Sequence, residues 1–135
     1  MDHEVRDETT RQFIAALRHL EQKRDVAPMA SLFTDEAEVT SIDGHGTRTG
    51  PGGITALFEE YLTQFDEIRT TFTQVTEGEA HAALEWRSEA VRAGGHPVTY
   101  TGVTIIDLGS GRVTGFRTVY DSAALMGPTV LDGTR

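Results

Sequence analysis

Two long runs that favour β structure, joined by a short turn, occupy residues 97–121, which read PVTYTGVTIIDLGSGRVTGFRTVYD. β-Branched and aromatic residues dominate 98–108 and 113–120, as is typical of strands. The Gly-Ser-Gly sequence at 109–111 supplies the turn, because glycine adopts a positive φ without steric cost. These strands are about twice the usual length. Long strands near the end of a short chain predict a curved sheet that encloses something.

Composition excludes several classes of protein. The 135 residues suit one domain with its own core. The absence of cysteine excludes disulfides, thiolate metal sites and a cysteine nucleophile. The formal net charge is −9 and the basic residues form no cluster, so we expect no nucleic-acid partner. We expect no membrane span and no signal peptide, and therefore a cytoplasmic protein, because long apolar runs are missing.

Three helices are predicted before the long strands. Helical spacing of apolar residues indicates the first at 9–23, capped by Thr9 or Thr10. A shorter helix is predicted within 25–33. The third, at 51–66, has the clearest amphipathic pattern. Its apolar residues are Ile54, Leu57, Phe58, Tyr61, Leu62 and Phe65.

Five strands complete the predicted elements. They are residues 37–42, 68–76, 81–92, 98–108 and 113–121, with glycine-rich loops at 43–46 and 50–53. Helices early and strands late favour an α+β architecture with helices on one face of an antiparallel sheet. A bent sheet closed by three helices makes a cone with a pocket. We find no repeat or linker, and expect one domain over 1–135 with its core at about 9–121.

Four segments resemble the nuclear transport factor 2-like superfamily, and within it the SnoaL-like and ketosteroid-isomerase-like proteins. They are FIAAL at 13–17, LFTDEAEV at 32–39, the glycines at 50 and 53 with the helix that follows, and GRVTGFRTVYD at 111–121. The resemblance implies a cone-shaped fold with three helices on a strongly curved, mostly antiparallel sheet. It implies no single activity, because this fold hosts isomerases, hydrolases, cyclases, dehydratases and plain binding modules.

Strand periodicity sorts the side chains into an inner and an outer set. The inner set and the helices predict an aromatic pocket wall with scattered hydroxyls. Its residues are Phe13, Phe58, Tyr61, Trp86, Tyr100, Thr104, Phe116, Thr118 and Tyr120. Such a wall suits a flat or alicyclic, mainly apolar ligand. The alternative is that the rings fill the cone and leave no cavity.

The outer set contains Val103, Ile105 and Val119 on a face that would otherwise be wet. The resemblance implies a homodimer joined through this outer sheet face, and the three residues fit it. The alternative is a few isolated surface hydrophobes, which are common.

The acids of the best-known enzymes of this superfamily are missing. A ketosteroid isomerase needs a carboxylate base and acidic groups for the oxyanion. A limonene-epoxide-hydrolase-like enzyme needs an Asp-Arg-Asp set, and a scytalone-dehydratase-like enzyme needs inward histidines. The resemblance places the first set at Ser41, Phe13 and Thr104, and the second near Trp86, Ser88 and Thr118.

Four other ionisable residues are candidates for catalysis. Asp121 is the acid that many SnoaL-like sequences carry after the last strand, and its structural alternative is a strand-end cap or a pair with Arg117. Asp43 and His45 lie in a glycine loop near the predicted rim, and Glu60 adjoins Tyr61 in the third helix. No two histidines have a metal-binding spacing, so we expect neither a metal nor a cofactor.

Two hypotheses for function remain open. In the first, the chain is a SnoaL-like small-molecule protein whose chemistry is a lyase, isomerase or cyclase step on an apolar ring compound. In the second, it is a non-catalytic ligand-binding or dimerisation module. The hypotheses differ in whether an ionisable group reaches the pocket.

Overall fold

The computed structural model describes residues 5–41 and 46–121. Two of the candidate residues, Asp43 and His45, lie outside these ranges. The helices are α1 (Glu8–Lys23), α2 (Ala27–Ala30) and α3 (Gly50–Thr63). The strands are β1 (Phe33–Ser41), β2 (Gly46–Thr49), β3 (Phe65–Glu77), β4 (His81–Arg92), β5 (Pro97–Gly109) and β6 (Arg112–Tyr120).

The six strands form one curved sheet in the order β2-β1-β6-β5-β4-β3. Neighbouring strands are antiparallel except β1 and β6, which run parallel. The three helices cover this sheet, and the predicted α+β cone is confirmed. Among the described residues, none of the helices is both long and apolar enough to span a bilayer.

The N-terminus of α1 is capped differently from the prediction. Asp7, rather than Thr9 or Thr10, is the cap, and its Oδ2 accepts from the Thr10 amide at 2.7 Å and the Thr10 hydroxyl at 2.9 Å. Both threonines are buried under the first turn. An aspartate here also suits the positive end of the helix dipole.

Three boundaries around β1 and β2 were predicted wrongly. The short second helix ends at Ala30, and β1 already begins at Phe33 because that residue pairs with Val113 of β6. β2 was not predicted as a strand, since only loops were expected at 43–46 and 50–53, but it pairs with β1, and the hydroxyls of Thr40 and Thr47 lie 2.8 Å apart. A four-residue polar edge strand has no hydrophobic alternation by which a sequence pattern could reveal it.

The long β4–β5–β6 meander agrees with the predicted strand periodicity. In β4 the alternate residues Ala82, Leu84, Trp86, Ser88 and Ala90 are all buried, while the charged residues between them are exposed. The turn between β5 and β6 has positive φ at Ser110 (55°) and Gly111 (75°). Two consecutive positive φ values match the right-handed twist of the flanking strands.

Candidate functional site

A cavity of about 110 Å³ lies between α1, α3 and the inner face of β3–β6. All nine residues predicted for the pocket wall line it. They are joined by Leu17, Leu57, Glu60, Gln64, Phe65, Thr70 and Ser88. That these residues bind a ligand stays a prediction.

The aromatic residues of the wall pack on one another and fill part of the cone. Trp86 meets Tyr100 edge to face at 5.3 Å between ring centroids, and Tyr100 meets Tyr120 at 5.7 Å. Phe116 packs against Phe13 at 6.2 Å and against Phe58 at 5.7 Å. The interior of the cone is therefore neither fully open nor fully filled, because the rings occupy part of it and leave a cavity. For comparison, an apolar cavity of about 150 Å³ holds benzene.

Trp86 is held by a hydrogen-bonded series that we call the Trp86 chain (Trp86, Thr104 and Thr118). The indole Nε1 donates to the Thr104 hydroxyl at 2.9 Å, and the Thr104 and Thr118 hydroxyls lie 3.1 Å apart. Gly102 of β5 pairs directly with Trp86. A β-carbon there would lie 2.5 Å from Trp86 Cζ2, so the indole occupies the space that a side chain would need.

Glu21 of α1 is a buried acid behind the cavity wall, and the sequence reasoning missed it. It is only 9% exposed. Its Oε2 accepts from the Tyr61 and Thr70 hydroxyls, each at 2.6 Å, and its Oε1 accepts from the Thr70 amide at 2.8 Å. The Ser88 hydroxyl lies 2.6 Å from that of Thr70. We call Tyr61, Thr70 and Ser88, which line the cavity in front of Glu21, the Glu21 wall.

Burial governs the electrostatics around Glu21. Desolvation raises the pKa of Glu21, although hydrogen bonds from Thr70 and Tyr61 and the charge of Arg18 oppose the shift. Burial also raises the pKa of the Tyr61 phenol, and the neighbouring Glu21 carboxylate raises it further. The pKa of Tyr100 rises for the same first reason. Both phenols therefore stay protonated around a carboxyl that ionises less readily than usual.

A sequence signal for Glu21 existed in the pattern of α1. Glu21 follows Leu17 by four residues and Ile14 by seven, so it lies on the apolar stripe of the helix. Tyr61 lies on the apolar stripe of α3 in the same way. A charged residue on a buried stripe, with a hydroxyl available on a neighbouring stripe, predicts a satisfied buried acid.

Two of the predicted acids, Glu60 and Asp121, lie among the described residues. Glu60 lines the cavity but is half exposed, and both its oxygens accept from the Arg48 guanidinium at 2.8 and 2.9 Å. Asp121 is exposed just beyond β6, where its backbone amide donates to the Thr101 carbonyl at 3.3 Å. Arg117, the partner considered for Asp121, donates to Asp107 at 2.8 Å.

The outer sheet face carries a small apolar patch. Val103 of β5 pairs directly with Val119 of β6, and Ile105 lies two residues along β5. Val119 is 55% exposed. Within 5–41 and 46–121, no three histidine, aspartate or glutamate residues are grouped so that they could hold a metal ion.

Comparison with solved structures assigns this fold to the nuclear transport factor 2-like class. A nuclear transport factor 2-like protein from Anabaena variabilis has a TM-score of 0.81 at 17% identity, over 92% of this chain and 97% of its own. TerC, co-crystallised with polyporic acid, has a TM-score of 0.76 at 18% identity, over 88% and 96%. A protein of ketosteroid-isomerase-like fold from Catenulispora acidiphila, in complex with trimethylamine, has a TM-score of 0.75 at 15% identity, over 89% and 90%.

The family is narrower than this class. Residues 10–116 match the model of the SnoaL-like domain, and the chain belongs to that family. No curated protein matches the chain in sequence.

Proposed function

We propose that this chain binds a small, mainly apolar ring compound in the cavity and acts on it by acid–base chemistry, as a lyase, isomerase or cyclase. The observation that carries the proposal is Glu21, a buried acid directly behind an otherwise aromatic wall. Its raised pKa brings a carboxyl group closer to the pH at which proton transfer is efficient. Perturbed acids in cavities are typical of functional sites.

Tyr61 is the group through which Glu21 reaches the cavity. The phenol lines the cavity and donates to Glu21 at 2.6 Å. In the proposed step, the Tyr61 oxygen takes a proton from the ligand while its own proton passes to Glu21. The ligand loses one proton, Glu21 becomes neutral, and Tyr61 ends with the proton count it began with.

A second candidate function is ligand binding without catalysis. Two observations favour it: the cavity is small, and neither described candidate acid is free inside it, since Glu60 is paired with Arg48 and Asp121 is exposed. The two functions differ in the need for the Glu21 carboxyl. A catalyst requires it, whereas a binding module requires only the cavity wall.

Mass spectrometry of compounds extracted from freshly purified protein tests the cavity as the binding site. Trp86→Ala removes the largest ring of the wall, so the amount of co-purified compound should fall several-fold. Arg87→Ala, on the opposite side of the same strand, is the matched control and should retain it. Trp86→Phe keeps a ring if the alanine variant does not fold. Undiminished compound in folded Trp86→Ala protein would place the site elsewhere.

Incubation with the extracted compound separates the two candidate functions. Conversion by the wild type and its loss in Glu21→Gln, measured at saturating concentrations of the compound, supports the acid–base step. Binding without conversion by the wild type supports the module instead.

We also propose that two copies pair through the outer face of the sheet. The apolar patch of Val103, Ile105 and Val119 supports this arrangement. The Arg117–Asp107 pair adjoins the patch, since Ile105 pairs with Arg117 across the strands. A polar rim around an apolar centre is the usual composition of an interface.

A further inference from the structure

Each hydroxyl of the Glu21 wall donates its proton to a defined acceptor within the protein. In its ionised form the Glu21 carboxylate only accepts, and Tyr61 and Thr70 then both donate to its Oε2. Thr70 has a single hydroxyl proton, and therefore Ser88 is the donor in the 2.6 Å contact between the two hydroxyls. Ser88 therefore donates to Thr70, while Thr70 and Tyr61 both donate to Glu21.

The Trp86 chain directs its protons in the same manner, toward an acceptor of the protein. An indole nitrogen only donates, so Thr104 accepts from Trp86. Thr118 donates to the Val103 carbonyl at 3.4 Å, which leaves Thr104 as the donor to Thr118. Each hydroxyl of this chain already has an acceptor within the protein.

The two networks set the hydrogen-bonding character of most of the hydroxyls that line the cavity. Seven hydroxyl-bearing residues line it, and five of them belong to the Glu21 wall or the Trp86 chain. The phenols of Tyr100 and Tyr120 are the other two. The hydroxyls of these five residues can accept a hydrogen bond from a ligand, but they cannot donate one, because their protons are already donated within the protein. A ligand hydroxyl can donate a hydrogen bond to these oxygens. A ligand carbonyl facing the same oxygens gives up its hydrogen bonds to water and gains none in exchange.

We infer that the Glu21 wall selects a ring compound that carries a hydroxyl group over the ketone of the same shape. This inference rests on the proposed ligand-binding function of the cavity. It adds the chemical class of the ligand and assigns a specificity role to Glu21, which acts through Tyr61 and Thr70.

The Glu21→Gln variant should reverse the selection. The Thr70 amide donates to one oxygen of Glu21, so the glutamine carbonyl takes that position and its NH₂ takes the other. The NH₂ group then donates to the hydroxyls of Tyr61 and Thr70. Both hydroxyl protons are released, and the wall changes from a set of acceptors to a set of donors.

Cyclohexanol and cyclohexanone are suitable probes, because they share a ring and differ in a hydroxyl against a carbonyl. Trp86 is the single tryptophan, so its indole N–H cross-peak in a ¹H–¹⁵N spectrum reports binding in the cavity. In the wild type near neutral pH, cyclohexanol should bind about 3- to 10-fold more tightly than cyclohexanone. Glu85→Gln, on the outer face of β4, should preserve this ratio.

In Glu21→Gln the ratio of the affinity for cyclohexanol to that for cyclohexanone should fall to one or below. Tyr61→Phe, which removes one acceptor without adding a donor, should reduce the ratio without reversing it, and serves if the glutamine variant does not fold. Equal affinities in the wild type, or an unchanged ratio in Glu21→Gln, would overturn the inference while leaving the cavity as a binding site. If neither probe moves the indole peak, the proposed function fails together with the inference.

Discussion

At the scale of single residues, Glu21 makes the stability of the folded protein depend on pH. The group has a raised pKa in the folded protein, whereas its ordinary value in the unfolded chain is 4.5. The neutral form is therefore the one that folding favours. The contribution of Glu21 to stability is fully present below pH 4.5 and is lost as the pH rises through the folded-state pKa.

Comparison of the wild type with Glu21→Gln isolates this contribution. The free energy of unfolding of the wild type, minus that of the variant, should fall as the pH rises from below 4.5 toward neutrality. Urea unfolding at several pH values measures it. Glu8, Asp25 and Glu89 have lowered pKa values and the opposite dependence, but both proteins contain them and their effects cancel. A difference that is flat or increases with pH would contradict the buried acid.

At the scale of elements, the pairing of β4 with β5 holds the Trp86 ring in the cavity wall. Gly102→Ala adds a β-carbon 2.5 Å from both the indole and the Val119 carbonyl. The indole must move, which breaks its bond to Thr104, and we expect a loss of about 1–3 kcal/mol in the free energy of unfolding. Urea unfolding and the indole N–H peak measure the two effects.

Gly52→Ala is the control for this substitution. A β-carbon at Gly52 meets nothing within 4 Å, and the residue lies in α3. The variant should be neutral or slightly stabilising, because alanine restricts the unfolded chain. An equal loss in both variants would indicate a general effect of the added methyl group and not a displaced indole.

The long elements were predictable because their patterns are local. β4 was predicted at the bounds observed, since exposed charged residues alternate with buried residues from Leu84 to Ala90. α3 was predicted to run to residue 66, but it ends at Thr63 because Phe65, although apolar at helical spacing, pairs with Arg92 in the sheet. Partners far along the chain decide such boundaries.

The ring-lined wall was predicted from strand parity, whereas its acid was not. Glu21 contacts Tyr61 forty residues away and Thr70 forty-nine residues away. The apolar stripe of α1 marks Glu21 as a buried position, but no local pattern identifies the residues that it meets. A glutamate at the end of a helix is usually solvated, so the prior for each residue alone favours the surface.

At the scale of the whole molecule, the proposed dimer depends on the outer sheet face. Val119→Asp puts a charge into the centre of the apolar patch, and the proposed dimer should dissociate. Size-exclusion chromatography with light scattering measures the mass. Thr71→Asp, exposed on β3 at the edge of the same sheet, should remain dimeric. A monomeric wild type at high micromolar concentration would refute the dimer.

The parallel pairing of β1 with β6 has a consequence for the order of events in folding. The pairing joins Phe33 to Val113, across most of the chain, and such distant contacts form slowly. β3 to β6 form a meander of sequential hairpins, which can assemble from near neighbours. On a ribosome β6 emerges after the other five strands, so β1 must wait for it. We expect the cavity to be enclosed only after β6 has left the ribosome, because Phe116, Thr118 and Tyr120 of this strand line it.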